Sequence, residues 1–498
     1  MTSYIYNNSY GGITMKDLQM IYIRNQILTM PMKVNQELTH KNKKFNKRSD
    51  YENIIRYVDN FLEGENINRF LVLPGLRDVG KTTILFQVYE YLLKEKNITP
   101  QNILYFSCDR LKRTGNVDIF DVVNYYCKSF HNSLIETLPS PVFILIDEAQ
   151  YDKEWALNGK LIFDGSKNIF IILSGSSALK LSNNPDAARR LLNIPIYPLT
   201  YCEHLKLKYG NFKNDISPSI IKMIFDGKTE NSAEIERIMI NIYSNFKNYD
   251  LSEWKNFLQF GGFPSSFFQN TNEITKKIVD MVEKVVTTDM NNIEGITSDT
   301  QNLAFQILNY FAFQNPGEVS KGSLSNHFDA KKPLVTKVLD ILEKTQLIFH
   351  IEAFTSSVKR TTKPHEYFFA TPSLKHNLAL DVGNAMLEDE TAYFGKLLEN
   401  YVASSFHDLD NKSSISYKTY YDDSNKMRSD KNVDFIVQRG LEKPIPIEVS
   451  CGDKDKSQIK RAIKKYNSPH GIIISNTTPN IVKNDNIICI PPEIFAFI

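Results

Sequence analysis

A glycine-rich segment with one lysine and two threonines carries the clearest chemistry in the sequence. Residues 75–83 read Gly-Leu-Arg-Asp-Val-Gly-Lys-Thr-Thr. In this spacing the backbone N–H groups can surround phosphate oxygens, Lys81 can reach the β- and γ-phosphates, and the Thr82 hydroxyl can bind Mg²⁺. The spacing therefore predicts a P-loop that binds ATP and Mg²⁺. Its residues are Gly75, Leu76, Arg77, Asp78, Val79, Gly80, Lys81, Thr82 and Thr83.

The residues on either side of this loop have the patterns that a P-loop requires. Phe70–Leu73 is a short apolar run typical of a buried strand, and residues 84–88 look like the start of a helix. A helix N-terminus adds partial positive charge beside a bound phosphate. The strand–loop–helix context therefore favours a phosphate site over a chance glycine loop.

Two carboxylates end another apolar run. Residues 143–148 read Phe-Ile-Leu-Ile-Asp-Glu, so Asp147 and Glu148 come at the carboxyl end of a predicted strand. An ATPase needs one acid that holds Mg²⁺ through water and a second that polarises the attacking water as general base. A buried strand often ends in one acid by chance, but two consecutive acids favour a catalytic role over chance. We assign Asp147 to the metal and Glu148 to the base.

Three further residues could complete this reaction centre. Ser174 ends the next predicted strand, where it could sense the γ-phosphate, while Ser176 or Ser177 could cap a helix instead. Arg189 and Arg190 could stabilise charge on the transferred phosphoryl group, in their own chain or in a neighbouring subunit. A plain surface helix is the alternative for the arginine pair.

Size and composition are those of an ordinary globular protein. The 498 residues allow about three domains, and a net charge of +2 gives no general attraction for nucleic acid, so any basic surface must be local. Five scattered cysteines without CxxC spacing argue against a zinc site or a disulfide framework. The polar start of the chain lacks the apolar core of a signal peptide, and no long apolar stretch occurs. We expect a cytoplasmic protein without a membrane span.

The hydrophobic pattern predicts an α/β protein. Strands and helices alternate from about residue 67 to 200, and each strand candidate is apolar throughout, as in a central parallel sheet. Residues 13–66 look helical except for a basic run at 40–48, which is either a solvated face or a contact to a phosphate backbone. The strand candidates are Phe70–Leu73, Ile103–Phe106, Val142–Ile146 and Ile169–Leu173.

Residues 300–370 have the pattern of a winged helix. A short helix at 323–328 precedes a second helix that runs to Leu347, and two strands then flank a polar turn. Lysines lie at the start of and along the predicted recognition helix, and basic residues also lie in the predicted wing. Basic residues on both surfaces favour binding of duplex DNA. They are Lys331, Lys332, Lys337, Lys359 and Arg360.

Several segments together resemble a known family. The P-loop, Asp147–Gln150, Ser174–Ser177, Pro198–Glu203 and Gly261–Pro264, in that order, resemble the archaeal and bacterial AAA-type ATPases that carry a C-terminal nuclease-like region of unknown function (DUF4143-like). The resemblance extends over about residues 55–480. It implies an AAA-type ATPase core with a parallel sheet, followed by a winged helix and a restriction-endonuclease-like α/β domain.

The same resemblance implies a nuclease-like site near the C-terminus. Glu399 on a helix, then Asp434, then Glu448 match the family pattern, and the two later acids could bind Mg²⁺ from adjacent strands. Ser450 stands where the pattern has lysine, and a serine cannot supply positive charge. We therefore expect a degenerate nuclease-like domain. Lysines that could substitute are Lys454, Lys456 and Lys460.

The expected function is an ATPase that acts on duplex DNA. A slow-turnover signalling ATPase with a protein partner and an ATP-gated nuclease stay open as alternatives, and so does self-association. The predicted regions are an N-terminal helical and basic segment (1–54), the P-loop ATPase core (55–205), a helical linker or lid (206–298), the winged helix (299–375) and the restriction-endonuclease-like domain (376–498).

Overall fold

The computed structural model divides the chain into two compact units, Met1–Ile196 and Tyr197–Ile498. Within the described ranges no helix has the length and apolar character needed to cross a membrane. The predicted five-region division is finer than these two units and stays a prediction. The structure describes residues 15–113, 115–116, 118–176, 188–210, 212–213, 216–290, 295–313, 318–383, 390–423, 432–452 and 456–498.

The first unit contains a small hairpin, a five-stranded sheet and flanking helices. Its strands are β1 (Thr39–His40), β2 (Lys43–Lys44), β3 (Phe70–Pro74), β4 (Ile103–Ser107), β5 (Val142–Asp147), β6 (Ile169–Gly175) and β7 (Leu192–Asn193). Its helices are α1 (Met15–Glu37), α2 (Ser49–Leu62), α3 (Lys81–Lys94), α4 (Cys108–Lys112), α5 (Ile119–His131) and α6 (Trp155–Gly165).

All neighbouring strands of the five-stranded sheet are parallel, in the order β4-β5-β6-β3-β7. Every residue of β3, β4, β5 and β6 is buried, which explains their continuous apolar runs. The four predicted strands are confirmed, each extended by one or two residues at its carboxyl end. The order places β6 between β3, which leads into the P-loop, and β5, which ends in Asp147.

Residues 40–44 of the basic run at 40–48 are exposed, but the run contacts the P-loop and its helix through Lys44 and Arg48. Lys44 forms an ion pair with Glu90 of α3, with an N–O distance of 2.6 Å. The buried Arg48 donates a hydrogen bond to the carbonyl oxygen of Val79 at 2.7 Å. Arg48 is therefore a structural anchor of the P-loop, and neither a solvated face nor a contact to a phosphate backbone describes its role.

The second unit contains a nine-stranded mixed sheet and several helices. Its strands are β8 (Glu318–Val319), β9 (Ile348–Ala353), β10 (His365–Phe369), β11 (Tyr417–Tyr421), β12 (Phe435–Arg439), β13 (Ile445–Ser450), β14 (Gly471–Ser475), β15 (Val482–Asn484) and β16 (Ile487–Ile490). Its helices are α7 (Tyr201–Tyr209), α8 (Ser217–Asp226), α9 (Ser232–Ser244), α10 (Glu253–Phe260), α11 (Thr271–Lys284), α12 (Ser298–Phe313), α13 (Lys321–His327), α14 (Lys332–Lys344), α15 (Ser357–Arg360), α16 (Pro372–Val382), α17 (Glu390–Lys412), α18 (Ser457–Tyr466) and α19 (Pro492–Phe495).

The nine-stranded sheet runs in the order β15-β16-β14-β13-β12-β11-β9-β10-β8. Strand β10 pairs antiparallel with both β8 and β9, and β12 pairs antiparallel with both β11 and β13, while β14 pairs parallel with β13 and with β16. A short parallel ladder joins β9 to β11, with Tyr420 opposite Glu352 and Tyr421 opposite Ala353. The hairpin β9–β10 is therefore part of one sheet with the C-terminal strands.

The Pro198–Glu203 and Gly261–Pro264 segments lie together in the second unit. The backbone N–H of Leu199 donates to the carbonyl of Gly262 at 2.8 Å. A Cβ on Gly262 would lie 2.5 Å from the Ser373 hydroxyl oxygen, so a larger residue would clash there. These segments, on which the family resemblance partly rests, therefore form a packed junction.

Candidate nucleotide site

The P-loop backbone includes left-handed φ angles and a close backbone approach that most residues do not tolerate. Gly80 has a φ of +99° and Asp78 a φ of +64°, both in the left-handed region. A Cβ on Gly75 would lie 2.4 Å from the carbonyl oxygen of Ile196. The loop is thus tightly packed, and α3 begins directly behind it at Lys81.

The Lys81 side chain folds back over the first residues of the P-loop. Its side chain is buried, and its Nζ donates to the carbonyl oxygens of Gly75 at 2.9 Å and Leu76 at 2.7 Å. A buried ammonium needs such acceptors because an uncompensated buried charge is costly. The structure therefore places the predicted phosphate-binding amine at the centre of the loop.

Asp147 is the point where three elements of the first unit converge. Its carboxylate is buried at the end of β5 and accepts a hydrogen bond from the Thr82 hydroxyl of α3 at 2.8 Å. The hydroxyl of Ser174, near the end of β6, donates to the other carboxylate oxygen. The Tyr105 hydroxyl of β4 lies 3.4 Å away. The structure thus brings together Thr82, Asp147 and Ser174, which were predicted separately.

Glu148 follows Asp147 with a left-handed backbone. Its φ is +55°, uncommon for a glutamate, and it turns the chain directly after β5. The amide nitrogen of Gln150 donates to the Glu148 carboxylate, and the amide oxygen of Gln150 accepts from the Ser176 backbone at 3.1 Å. Gln150 therefore orients Glu148, a role that its sequence position did not reveal. Ser177 lies outside the described residues.

The charge environment of Glu148 is mixed. Burial and the neighbouring Asp147 raise the pKa of Glu148 above its usual range, while Lys81 and Arg77 oppose the rise. A carboxylate with a raised pKa binds a proton more readily than an ordinary glutamate does. This environment suits the predicted role of general base, because a base with a pKa closer to neutrality accepts a proton more effectively.

The arginine pair lies at the opposite edge of the sheet. Arg189 is exposed, and Arg190 pairs with Asp164 near the end of α6, with an N–O distance of 3.0 Å. Because Leu192 of β7 pairs with Leu71, Arg190 lies level with the start of β3, whereas the P-loop follows its end. The length of β3 separates the two by about 16 Å. This geometry disfavours action in the same chain, which leaves a role in a neighbouring subunit and a plain surface position as the alternatives.

The predicted nuclease-like acids lie close together in the second unit, Asp434 directly before β12 and Glu448 on the adjacent β13. Phe435 of β12 pairs with Ile447 of β13, and the preceding Asp434 accepts a hydrogen bond from the backbone N–H of Val449 at 2.6 Å. Glu448 is buried on β13. Asp434 therefore ties β12 to β13, beside Glu448.

The other two predicted nuclease-like residues have structural contacts. The Ser450 hydroxyl is buried and donates to the carbonyl oxygen of Gly452, so it closes the turn after β13. Glu399 lies on α17 near the buried amine of Lys375, whose positive charge its carboxylate favours. Lys454, one of the lysines considered as a substitute for the missing cation, lies outside the described residues.

The basic residues around β9 and β10 fall into two groups. Lys331, Lys332 and Lys359 are exposed. By contrast, the amine of Lys337 donates to the carbonyl oxygen of Gly295. Arg360 donates to the Thr355 carbonyl at 3.1 Å and lies over the Tyr420 ring at 4.5 Å. The second group is engaged within the chain, whereas the exposed ammonium groups of the first could reach a partner.

Comparison with known families identifies the two middle portions of the chain. Residues 67–205 match the family model of an AAA domain, which confirms the predicted AAA-type P-loop ATPase core. Residues 251–385 match a domain of unknown function, DUF8612. The second match overlaps the predicted lid and winged helix, and the DUF4143-like and nuclease-like resemblance stays a prediction.

Two relatives and one solved structure are similar over most of the chain. The chain is 31% identical to the uncharacterized protein MJ1637 of Methanocaldococcus jannaschii, covering 98% of this chain and 95% of that protein. It is 24% identical to an uncharacterized protein of Haemophilus influenzae, covering 72% and 81%. A Walker-type ATPase structure from Pyrococcus abyssi is similar at 14% identity and a TM-score of 0.39, covering 68% of this chain and 97% of that one.

Proposed function

We propose that this chain, which belongs to the family of the uncharacterized protein MJ1637 of Methanocaldococcus jannaschii, is an ATPase. Its AAA domain binds ATP with Mg²⁺ and hydrolyses it. The observation that carries this proposal is the convergence of Thr82, Ser174 and Asp147 beside a buried P-loop lysine. Hydroxyl and carboxylate oxygens are ligands that Mg²⁺ prefers, so these side chains fit a magnesium–nucleotide complex.

Each residue has a distinct task in this proposal. The loop backbone and Lys81 bind the β- and γ-phosphates, and the Thr82 hydroxyl and Asp147 hold Mg²⁺, which neutralises phosphate charge when bound. Ser174 donates a hydrogen bond to Asp147 in the structure, and in the proposal its hydroxyl senses the γ-phosphate. Glu148 takes the proton of the attacking water, and Gln150 keeps its carboxylate in position.

Replacement of the P-loop lysine tests this assignment. Lys81→Ala removes the buried ammonium that we assign to the β- and γ-phosphates, so we expect loss of MgATP binding and of hydrolysis. Lys94→Ala is a matched control, because Lys94 lies at the other end of α3 and pairs with Glu90. Equilibrium binding of a fluorescent ATP analogue and phosphate release would be measured for both variants. Unchanged binding by Lys81→Ala would remove the assignment.

We also propose that the second unit binds duplex DNA. The described elements run α12, β8, α13, α14, β9 and β10, which is the order of a winged helix, with α14 as recognition helix. Lys331 and Lys332 are exposed at the start of α14, and Lys359 is exposed in α15 between the hairpin strands. Exposed lysines at a helix start and in a wing are suited to phosphate contacts.

A protein partner is the second candidate, and one observation favours it. The hairpin β9–β10 is joined to β11 by backbone pairing, and Arg360 is held against Tyr420 of that strand. A hairpin fixed in this way serves packing more readily than insertion beside DNA. The winged helix would then be a rigid module of a slow-turnover ATPase, and its outer face would bind protein.

For the C-terminal strands we propose a nuclease-like fold without efficient cleavage. Asp434 directly precedes β12 and bonds to β13 next to Glu448, but Ser450 supplies no cation and its hydroxyl is used in a turn. Without a positive charge beside the acids, developing charge on a scissile phosphate is poorly stabilised. The domain is thus better suited to binding than to hydrolysis of a phosphodiester.

A further inference from the structure

Three metal-binding side chains gather on one face of the β9–β10 hairpin. His350 and Glu352 are two residues apart on β9, so they project from the same face. Tyr367 pairs with His350 and Glu366 with Ile351, which places His365 diagonally across from His350 on that face. One ligand atom from each of His350, Glu352 and His365 lies within 4.8 Å of the other two.

A carboxylate from a neighbouring helix supports this group from behind. Glu343, near the end of α14, contacts the Nδ1 atom of His350. In metal sites a histidine typically donates its second ring N–H to a carboxylate, which fixes the tautomer and leaves the other nitrogen for the ion. A hydrogen bond from Nδ1 of His350 to Glu343 would leave Nε2 as the nitrogen that binds a metal.

We propose that His350, Glu352 and His365 bind one Zn²⁺ ion, which would join the end of α14 to the hairpin. Two imidazoles and one carboxylate are a recognised zinc ligand set, and the fourth position of the tetrahedron would hold water. Imidazole ligands favour Zn²⁺ over Mg²⁺ or Ca²⁺, which prefer oxygen ligands. The absence of CxxC spacing argued against a cysteine zinc site only. The proposed ligands lie on two strands, and they meet only through pairing of β9 with β10.

Binding requires small side-chain movements and tolerates two nearby cations. The His350 and His365 rings stack with centroids 4.0 Å apart, and ligands of a tetrahedral Zn²⁺ lie about 3.4 Å apart, so one ring must rotate until both nitrogens face the ion. Arg360 lies 3.5 Å from Glu352 and Lys321 lies near His365. Their charge weakens binding, whereas the Glu343 carboxylate strengthens it.

The test is a metal titration of the full chain, purified without a histidine tag and treated with chelator. Zn²⁺ binding would be followed by competition with a chromophoric chelator, and Co²⁺ binding by its visible absorption bands. We expect one equivalent of Zn²⁺ per chain, a Co²⁺ spectrum typical of tetrahedral nitrogen and oxygen ligands, and a higher unfolding temperature with Zn²⁺. Glu343→Gln should lower the Zn²⁺ affinity by about 10- to 100-fold.

Ligand variants and a matched control separate this site from adventitious binding. His350→Ala and His365→Ala should each abolish stoichiometric Zn²⁺ binding and its thermal effect, and so should the near-isosteric Glu352→Gln if the metal-free variant melts like the parent. His327→Ala is the control, because His327 is exposed on α13 outside the group. Absence of saturable Zn²⁺ binding by the parent would overturn the proposal, and so would equal binding by the His350→Ala/His365→Ala double variant.

Discussion

In the proposed mechanism, the protonation state of Glu148 decides whether the site can hydrolyse ATP. Burial and Asp147 raise its pKa, and a general base works only when it is deprotonated. The rate therefore falls as the pH drops through a value above the usual glutamate pKa of about 4.3. We predict that the turnover number at saturating MgATP has its acid limb displaced upward from that value.

A pH profile of the turnover number would check this expectation. Glu154→Gln is a suitable control, since Glu154 is exposed just before α6, and it should keep the acid limb. The residual hydrolysis of Glu148→Gln should be flat over the same pH range. If the acid limb persists in Glu148→Gln, another group is the base.

At the residue scale, local motifs could be predicted from the sequence and tertiary contacts could not. The P-loop and the Asp147–Glu148 pair are set by short spacings next to apolar runs. By contrast, Gln150 orients Glu148 only because the chain turns back after β5, and Arg48 reaches Val79 across 31 positions. Nothing in the types of Gln150 and Arg48 distinguishes them from surface residues.

At the scale of elements, a buried acid ties α7 to α10. The Glu253 carboxylate accepts hydrogen bonds from His204 at 2.6 Å, from Lys208 at 2.6 Å and from the Tyr209 hydroxyl. Burial by itself raises the pKa of Glu253, but the hydrogen bonds outweigh it and lower the pKa to about 2. The ionised form is thus stabilised by folding.

This depressed pKa makes a signed prediction about stability. The contribution of Glu253 is present above the unfolded pKa of about 4.3 and is lost as the pH falls towards 2. We expect Glu253→Gln to lower the free energy of unfolding by about 3 kcal/mol at pH 7 and by much less near pH 2.5. Denaturant unfolding at both pH values would measure this, with the exposed Glu230→Gln as control. An equal loss at both pH values would contradict the role of the charge.

Some helices and strands could be predicted from the sequence, and their pairing could not. Continuous apolar runs fix the parallel strands of the first unit, because strands buried on both faces leave no other pattern. The short helix, the following helix and the two hairpin strands predicted between residues 323 and 369 are present, but the second helix ends at Lys344 and does not reach Leu347. The ladder between β9 and β11 was not predictable, since two backbone pairs between distant segments leave no trace in side-chain pattern.

At the scale of the whole molecule, salt dependence distinguishes the two proposed partners of the second unit, duplex DNA and a protein. If duplex DNA is the partner, binding should weaken steeply with salt, because each phosphate contact releases counterions. We predict that the triple variant Lys331→Ala/Lys332→Ala/Lys359→Ala binds DNA less tightly. Its log–log salt slope should be smaller by about 2.7, which is three contacts at about 0.9 each.

A binding series in increasing salt would measure that slope. Lys344→Ala is the matched control, because Lys344 is exposed at the other end of α14. DNA binding by the triple variant equal to that of the parent would favour the protein-partner alternative. Arg360 is left unchanged, since its removal would disturb the packing against Tyr420.

The proposed hydrolysis of MgATP depends on Asp147 and Glu148, and its dependence on Glu148 can be measured directly. Phosphate release and ATP retention would be followed in parallel for the parent protein and Glu148→Gln, with Mg²⁺ and with chelator. We predict Mg²⁺-dependent turnover by the parent, and for Glu148→Gln a turnover number lower by about 10²- to 10⁴-fold with ATP still bound. Equal turnover by Glu148→Gln, or no Mg²⁺-dependent turnover by the parent, would contradict this prediction.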